Sequence, residues 1–280
     1  MSEPGRLDAG LTRRQVTDLL DRHGLHPSRA LGQNFVVDPN TVRRIARLAG
    51  IGPGDRVVEI GAGLGSLTLA LLATGAEVTA VEVDRHLLPV LASVVEPAGA
   101  TVVGGDALTL DWSEVLEGDG WVLVANLPYN VASPLVADLL DGVPAIRRML
   151  VMVQREVGER WAAGVGDPAY GALSVKVAYW ATARVVGRVP ASVFLPQPKV
   201  ESVLVSIGRL DEPAVPGDRE RLFDLVRAGF GQRRKMLRRS LAGVIDPEAF
   251  ACAGIRPEAR AEELDVQAWG RLAACAGTRS

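Results

Sequence analysis

The sequence predicts an α/β fold with a mostly parallel sheet, followed by a small C-terminal α-helical domain. Between residues 56 and 154, five short apolar segments alternate with segments of helical periodicity, which is typical of repeated strand–helix–strand units. The β-rich segments 172–189 and 202–210 have no predicted helix between them, so we expect antiparallel strands closing one edge of the sheet. From residue 218 onward the periodicity is helical.

The predicted elements follow one another in a regular order. Helices are predicted at 11–24 and 38–50, and each ends at a glycine. The strands are predicted at 56–60, 77–84, 100–107, 121–125 and 147–154. Further helices are predicted from the glycine-rich turn to about residue 73, at 85–95 and at 133–140.

A short polar segment divides the chain into two predicted domains. Residues 211–217 carry two prolines and a glycine, which is typical of a linker. The sequence therefore predicts one domain over 1–210, including the N-terminal helices, and a second over 218–280.

Composition excludes several classes of protein. The 280 residues are 48% hydrophobic and 23% charged with a net charge of -2, which is typical of a globular protein. The two cysteines form no CxxC pair and the three histidines lie far from them in sequence, so we expect no metal site. The chain has no signal-like segment and no apolar run of about 18 residues, so we expect a cytoplasmic protein. Nothing indicates an obligate interface, and we expect a monomer.

Charge is unevenly distributed near the C-terminal end. Residues 227–239 contain six basic side chains and no acidic one: Arg227, Arg233, Arg234, Lys235, Arg238 and Arg239. Such a cluster is either a solvated helix face or a contact for nucleic-acid phosphates, and the lack of acids favours the second. Arginines in the first two helices are further candidates for the same surface: Arg13, Arg14, Arg43, Arg44 and Arg47.

A glycine-rich turn follows the first strand of the predicted sheet. Gly61, Gly63 and Gly65 open the next helix, and glycines at such a turn let the backbone approach a ligand closely. Glu82 ends the next strand, 21 residues after Gly61, where a carboxylate can accept hydrogen bonds from ribose hydroxyls. Asp106 follows the third strand and could accept from an adenine amino group. The order predicts a nucleoside pocket, but it does not separate an oxidoreductase from a methyltransferase.

The residues after the fourth strand indicate the chemistry. The side-chain oxygen of Asn126 and a carbonyl at Leu127 or Pro128 could accept both N–H groups of an exocyclic amine on a base. That would hold a delocalised, weakly nucleophilic nitrogen in place. Pro128 fixes the chain direction, and Tyr129 offers a face on which the base can stack. The simpler interpretation is a turn with a core tyrosine, but its place after the glycine turn and two strand-end acids argues against that.

This ordered set of motifs resembles the KsgA/RsmA family of small-subunit ribosomal RNA adenine dimethyltransferases. The resemblance runs from about residue 27 to 270 and rests on these segments: LGQNFVVDP (31–39), VVEIGAGLGSLT (57–68), VEVD (81–84), GDAL (105–108), NLPYNVASPL (126–135), VFLPQPKVESVLV (193–205), GFGQRRKMLRRSL (229–241) and RPEARAEEL (256–264). It implies a Rossmann-like class I S-adenosylmethionine-dependent methyltransferase domain. It also implies N6-dimethylation of two adjacent adenines near the 3′ end of 16S ribosomal RNA, in the assembling small subunit.

The resemblance also implies roles for individual residues. S-adenosylmethionine would contact Asn34, Val36, Gly61, Gly63, Glu82, Asp106 and Asn126. Asn126, Pro128 and Tyr129 would hold the target adenine, and Phe194 would cover the base from the other side. The basic cluster at 227–239 would contact RNA.

Three alternatives remain at this stage. The first is a large-subunit ribosomal RNA adenine methyltransferase of the macrolide-resistance type, whose members commonly carry isoleucine where Leu127 stands. The second is a non-catalytic ribosome-assembly or transcription accessory factor that kept the fold. The third is a nicotinamide dehydrogenase, against which the missing third-position glycine, at Ser66, and the Asn-Leu-Pro-Tyr segment both argue.

Overall fold

The computed structural model describes residues 10–128 and 131–277. Its strands are β1 (Phe35–Val36), β2 (Arg56–Ile60), β3 (Glu77–Glu82), β4 (Thr101–Gly104), β5 (Trp121–Asn126), β6 (Ile146–Gln154), β7 (Ala181–Val189), β8 (Phe194–Leu195) and β9 (Ser202–Arg209). Its α-helices are α1 (Arg13–Arg22), α2 (Pro39–Ala49), α3 (Ser66–Leu72), α4 (Leu88–Val95), α5 (Trp112–Val115), α6 (Ala132–Gly142), α7 (Arg155–Ala162), α8 (Ala172–Trp180), α9 (Arg219–Gly231), α10 (Leu237–Ser240), α11 (Glu248–Ala253) and α12 (Val266–Cys275).

The chain divides into two compact units. The first contains the described residues up to Gly158 together with Arg184–Gly208, and the second contains Glu159–Ala183 with the described residues from Arg209 onward. The helical unit is thus assembled from two separate segments. The division into 1–210, a linker at 211–217 and 218–280 stays a prediction.

A seven-stranded sheet forms the centre of the first unit. Its strand order is β4-β3-β2-β5-β6-β9-β7. The strands from β4 to β6 run parallel, and β9 pairs antiparallel with β6 over Arg148–Gln154. The predicted parallel sheet is therefore confirmed, and so is an antiparallel strand beside it, β9, while β7 is the strand at that edge. A separate two-stranded ladder joins β1 to β8.

Alternating side chains of the strands bury α2 and α3 against the sheet. Val57, Val122 and Val124 share one core cluster with Val42 and Leu71 of these helices, and all five are at most 2% exposed. Helix α2 begins where the Asp38 carboxylate accepts from the amides of residues 40 and 41, and ends at Gly50 in the left-handed region. Local capping and burial of the apolar face therefore both stabilise this helix.

One predicted strand is a helix. The β-rich composition of residues 172–189 predicts a strand there, but residues 172–180 form α8 and the strand β7 begins only at Ala181. The Ser174 hydroxyl accepts from the Gly171 amide (3.1 Å) and donates to the Arg160 carbonyl (2.5 Å), which fixes the helix start. Val175, Val177 and Tyr179 are buried, so tertiary packing overrides the local β propensity.

The second unit packs its helices around a tryptophan. Trp269 of α12 is fully buried in a cluster that includes Leu222 and Val226 of α9. Cys252 and Cys275 are disulfide-bonded and join α11 to α12, with their Cα atoms 5.8 Å apart. Their separation of 23 residues in sequence did not indicate this pairing. Among the described residues, no helix is long and apolar enough to cross a membrane.

The close approach of α9 to α12 gives a stability prediction. A Cβ added at Gly229 would lie 2.6 Å from the Trp269 ring, whereas a Cβ at Gly231 of the same helix would meet nothing within 4 Å. We expect Gly229→Ala to lower the free energy of unfolding by about 1–3 kcal/mol because it overpacks a core. Gly231→Ala should be neutral or stabilise by up to about 1 kcal/mol through helix propensity. Urea denaturation of both variants checks this, and equal effects would contradict it.

Candidate active site

The residues predicted at the strand ends come together at the carboxyl edge of the parallel sheet. Strand β2 pairs in register with β3 and with β5, so Gly61, Glu82 and Asn126 lie side by side. One cavity is lined by Asn34, Val36, Gly61, Gly63, Glu82 and Asn126. Asp106 lines an adjoining cavity with Val83 and Leu108, whose side chains are 49% and 41% exposed. Apolar walls beside a carboxylate fit a flat ring that carries an amino group.

The glycine turn needs its glycines. Gly61, Gly63 and Gly65 all have positive φ, at 76°, 60° and 86°, a region that strains other residues. A Cβ at Gly63 would lie 3.0 Å from the Phe35 ring. Ser66, in place of a third-position glycine, accepts a hydrogen bond (3.0 Å) from the Leu11 amide and so ties the start of α1 to α3.

Glu82 organises the backbone around it. Its Oε2 accepts from the Gly63 amide (2.7 Å), and its Oε1 accepts from the amides of Val83 (3.0 Å) and Asp84 (2.9 Å). The residue is 4% exposed. Burial raises the pKa of Glu82, while the three amides oppose that shift by stabilising the carboxylate. A carboxylate has about four acceptor positions, so Oε2 retains capacity for one more donor.

A second buried acid was not singled out from the sequence. Glu59 is 2% exposed, lines the same cavity and accepts a hydrogen bond (2.6 Å) from the Thr68 hydroxyl. Burial raises its pKa from 4.5 to about 8, with Glu82 adding repulsion, although the Thr68 bond lowers it. The sequence did contain a signal, because a charged residue interrupts the otherwise apolar end of β2.

The entry segment, residues 28–37, lies over the cavity. The Gln33 side chain accepts from the Ser28 amide (2.8 Å) and donates to Asp84 (2.8 Å), two residues beyond Glu82. Asn34 and Val36 line the cavity, and the Asn34 amide group donates to the Gly32 carbonyl (2.9 Å). These contacts hold the segment in place, and sequence reasoning found neither the role of Gln33 nor its partner.

Asn126 is oriented by the entry segment. Its Nδ2 donates to the Asn34 carbonyl (3.0 Å), and among the described residues no donor reaches its Oδ1. The Pro128 carbonyl accepts from the amides of residues 131 and 132, at the start of α6. Within the described residues the Leu127 carbonyl has no donor, so of the two predicted carbonyls it is the one available to a ligand. Tyr129 lies outside the described residues.

Phe194 belongs to a strand that pairs with the entry segment. In the β1–β8 ladder, Val36 lies opposite Phe194. The Phe194 ring is 1% exposed and packs in the core cluster with Val42. Arg13 of α1 donates to the carbonyls of Ser192 (3.0 Å) and Phe194 (3.3 Å). The contact of Phe194 with a base stays a prediction.

The basic cluster divides into paired and unpaired side chains. Arg227 forms an ion pair with Asp224, Arg233 with Glu262 (2.8 Å), and Arg238 with Glu258 (3.6 Å). These acids come from outside 227–239, so the sequence count overstated the local positive charge. The exposed members with no carboxylate partner among the described residues are Arg234, Lys235 and Arg239.

Solved structures with this fold define the class of protein. The chain superposes on a dimethyladenosine transferase from Plasmodium falciparum with a TM-score of 0.70 and 26% identity, over 84% of this chain and 94% of that one. It superposes on the 23S rRNA methyltransferase ErmE with a TM-score of 0.68 and 26% identity, over 86% and 99%. The first unit therefore has the Rossmann-like fold of class I S-adenosylmethionine-dependent methyltransferases.

Sequence comparison then gives the family. The model of the ribosomal RNA adenine dimethylase family matches residues 26–276. The chain is 48% identical over 274 residues to the "Ribosomal RNA small subunit methyltransferase A" of Leifsonia xyli, covering 93% of this chain and 96% of the relative. It is 46% identical over 285 residues to the protein of that name from Thermobifida fusca, covering 98% and 99%. The chain belongs to the ribosomal RNA adenine dimethylase family.

The buried acid in β2 gives a pH prediction. Because the pKa of Glu59 is raised in the folded protein, its contribution to stability is full below about pH 4.5 and is lost as the pH rises through about 8. We expect the free energy of unfolding to fall across this window by on the order of 1 kcal/mol per pH unit from this group. Glu59→Gln should remove that component, so its stability relative to the native sequence should rise from pH 5 to 8.

Denaturation at several pH values measures this effect. Glu77→Gln is the matched control, since Glu77 is exposed at the start of the neighbouring β3. Parallel pH profiles for Glu59→Gln and the native sequence would contradict the assignment.

Proposed function

We propose that this protein transfers methyl groups from S-adenosylmethionine to N6 of two adjacent adenines near the 3′ end of 16S ribosomal RNA. The observation that carries the proposal is the geometry of Asn126. Its Nδ2 donates to the Asn34 carbonyl, and no donor in the described part of the chain reaches its Oδ1 or the adjacent Leu127 carbonyl. Two acceptors side by side match the two N–H groups of an adenine amine. Membership of the adenine dimethylase family and the names of the relatives support the same substrate.

The residues around the cavity fit the proposed cofactor. Glu82 Oε2 can accept from a ribose hydroxyl, and Asp106 can accept from an adenine amine between Val83 and Leu108. The Gly61 turn lets the backbone approach the ligand, and Asn34 and Val36 enclose it from the entry segment. S-adenosylmethionine, when bound, would supply an electrophilic methyl group on a sulfonium, and S-adenosylhomocysteine would be the leaving product.

The chain's own residues act mainly by holding the target nitrogen. Asn126 Oδ1 and the Leu127 carbonyl accept the two amine protons, which fixes the nitrogen and favours its pyramidal, nucleophilic form. No strong base is required, because the amine proton becomes acidic once the nitrogen is methylated. After one transfer a single N–H remains, so one acceptor suffices to hold the amine for the second.

The target adenine must leave its helix to reach this site. Extrusion of a base costs a few kcal/mol, and stacking in the pocket offsets part of that cost. Tyr129 provides one face and Phe194 the other in this proposal. Arg13 fixes the backbone on either side of Phe194 through two carbonyls.

The proposed partner is the immature small ribosomal subunit. The protein acts there as a monomer in the cytoplasm, and the unpaired side chains of the basic cluster contact RNA phosphates. The large-subunit alternative has the same chemistry on a different RNA. The two functions are therefore distinguished by which RNA the protein methylates.

Methyl-labelled S-adenosylmethionine distinguishes these substrates. The protein is incubated with immature small subunits, with large-subunit RNA or without RNA, and the RNA is digested to nucleosides. We expect N6,N6-dimethyladenosine from the small subunits alone. Product from large-subunit RNA would favour the alternative, and no product from small subunits would contradict the proposal.

Asn126→Ala serves as the catalytic variant in the same assay. Loss of a positioned acceptor should lower transfer by at least about 100-fold while subunit binding is retained. Gln267→Ala, in an exposed carboxamide side chain of α12, is the matched control and should transfer normally. Full activity of the Asn126→Ala variant would contradict the proposed role of the Asn126 side chain in holding the amine.

The division of the basic cluster gives a separate prediction. Arg234→Ala with Arg239→Ala should weaken subunit binding by roughly tenfold and lower the slope of log K against log salt by about 1–2. The control removes an ion pair without changing net charge, as Asp224→Ala with Arg227→Ala, and should leave both quantities unchanged. Equal losses in the two double variants would show that the ion-paired arginine also contacts RNA.

A further inference from the structure

A second basic surface lies on the first unit. Helix α2 carries Arg43, Arg44 and Arg47, and the part of β7 in this unit carries Arg184 and Arg188. Neither α2 nor β7 contains an aspartate or glutamate. All five arginines are exposed. Like-signed charges without intervening acids produce a local positive potential even in a protein of net charge -2.

Contacts between α2 and β7 make these residues one surface. The Arg44 guanidinium donates to the Arg188 carbonyl (2.8 Å). It also lies directly against Gly187, where a Cβ would be 2.5 Å from Arg44 Nη2. Gly187 therefore leaves room for the guanidinium over the edge strand. Arg43 and Arg47 are four residues apart and so lie on the same side of α2.

The acids close to these elements in sequence are engaged elsewhere. The Asp38 carboxylate caps α2 through the amides of residues 40 and 41. Asp55 pairs with Arg148 (3.8 Å), and Glu201 pairs with Arg155 (3.9 Å). Among the described residues, no carboxylate lies within 4.0 Å of the five arginines. Their charges are therefore available to an external anion.

One arginine of this group, Arg188, lies close in sequence to Phe194 of the candidate active site. Arg188 is six residues before Phe194, so a fully extended chain places the two Cα atoms within about 20 Å. The α1 arginines differ from this group, because Arg13 binds the carbonyls at Phe194 and Arg14 pairs with Asp18 (3.7 Å).

We infer that α2 and β7 form a second phosphate-binding surface, the α2–β7 surface, which holds RNA that flanks the target adenine. Arginines without acidic partners favour a polyanion, and the proposed substrate supplies one. The inference rests on the proposed function for the identity of that polyanion. It adds a contact region on the methyltransferase unit to the basic cluster of the helical unit.

The test replaces Arg43 and Arg47 as Arg43→Ala with Arg47→Ala, because among the described residues it is Arg44 that hydrogen-bonds to β7, whereas Arg43 donates to Asn40 within α2 (2.7 Å). Binding to immature small subunits is measured from about 50 to 200 mM salt. We expect binding to weaken roughly tenfold at about 100 mM salt and the slope of log K against log salt to fall by about 1–2. Arg43→Lys with Arg47→Lys keeps the charge and should restore most of the binding.

Arg14→Ala with Arg22→Ala is the matched control. It removes two exposed arginines from α1, which also carries Asp18 and Asp21, and should leave the slope unchanged. A slope unchanged in the α2 alanine variant, or equal losses in the α1 control, overturns the inference. So does failure of the lysine pair to restore binding, because phosphate contact by charge requires that rescue.

Two further measurements separate this result from other failures. Affinity for S-adenosylmethionine and the melting temperature should match the native protein in every variant, so a fall in either marks damage to the fold and counts against the α2–β7 surface. Dimethyladenosine formation by the native protein on the same subunits tests the proposed function. If the native protein forms dimethyladenosine but the α2 alanine variant binds subunits as well as the native protein does, the inference of the α2–β7 surface is contradicted and the proposed function is not.

Discussion

The parallel register of β2, β3 and β5 is the constraint on which the rest of the site depends. Ile60 lies opposite both Val81 and Ala125, so the next residue of each strand reaches the same edge at the same level. A shift of one residue in either pairing would move Glu82 or Asn126 to the other face. The glycine turn, the buried carboxylate and the carboxamide meet because the buried valines of these strands fix that register.

A network of backbone contacts then builds on this edge. Glu82 holds the Gly63 amide, Asn126 holds the Asn34 carbonyl, and β1 pairs with the strand of Phe194. The residues that would hold the cofactor and those that would hold the base thus share the entry segment. Positioning of this kind suits a reaction in which orientation of a weak nucleophile supplies much of the rate enhancement.

The net charge of the two basic surfaces depends on tertiary structure and differs from what a count along the sequence indicates. Residues 227–239 contain no acid, yet Asp224, Glu258 and Glu262 neutralise three of the basic side chains. On α2 and β7 the opposite holds, since separate segments bring arginines together and no carboxylate of the described residues pairs with them. Local charge depends on which segments become neighbours, and a count along the chain does not contain that information.

The sequence by itself determined the fold class, the order of the parallel strands' motifs and the residues at their ends, because burial pattern and glycine placement are local and periodic. It gave the wrong structure for 172–180, where α8 forms since packing outweighs β propensity. It also missed Glu59, the contacts of Gln33 and the contacts of Arg13, which had been predicted only as a candidate for the basic surface. The partners of these three residues are 9, 51 and about 180 residues away in sequence. Only the tertiary structure showed that the two carbonyls beside Asn126 differ, because the Pro128 carbonyl accepts from the start of α6 whereas no donor within residues 10–128 and 131–277 reaches the Leu127 carbonyl. Hydrogen bonds between distant segments depend on three-dimensional proximity, which residue patterns do not specify.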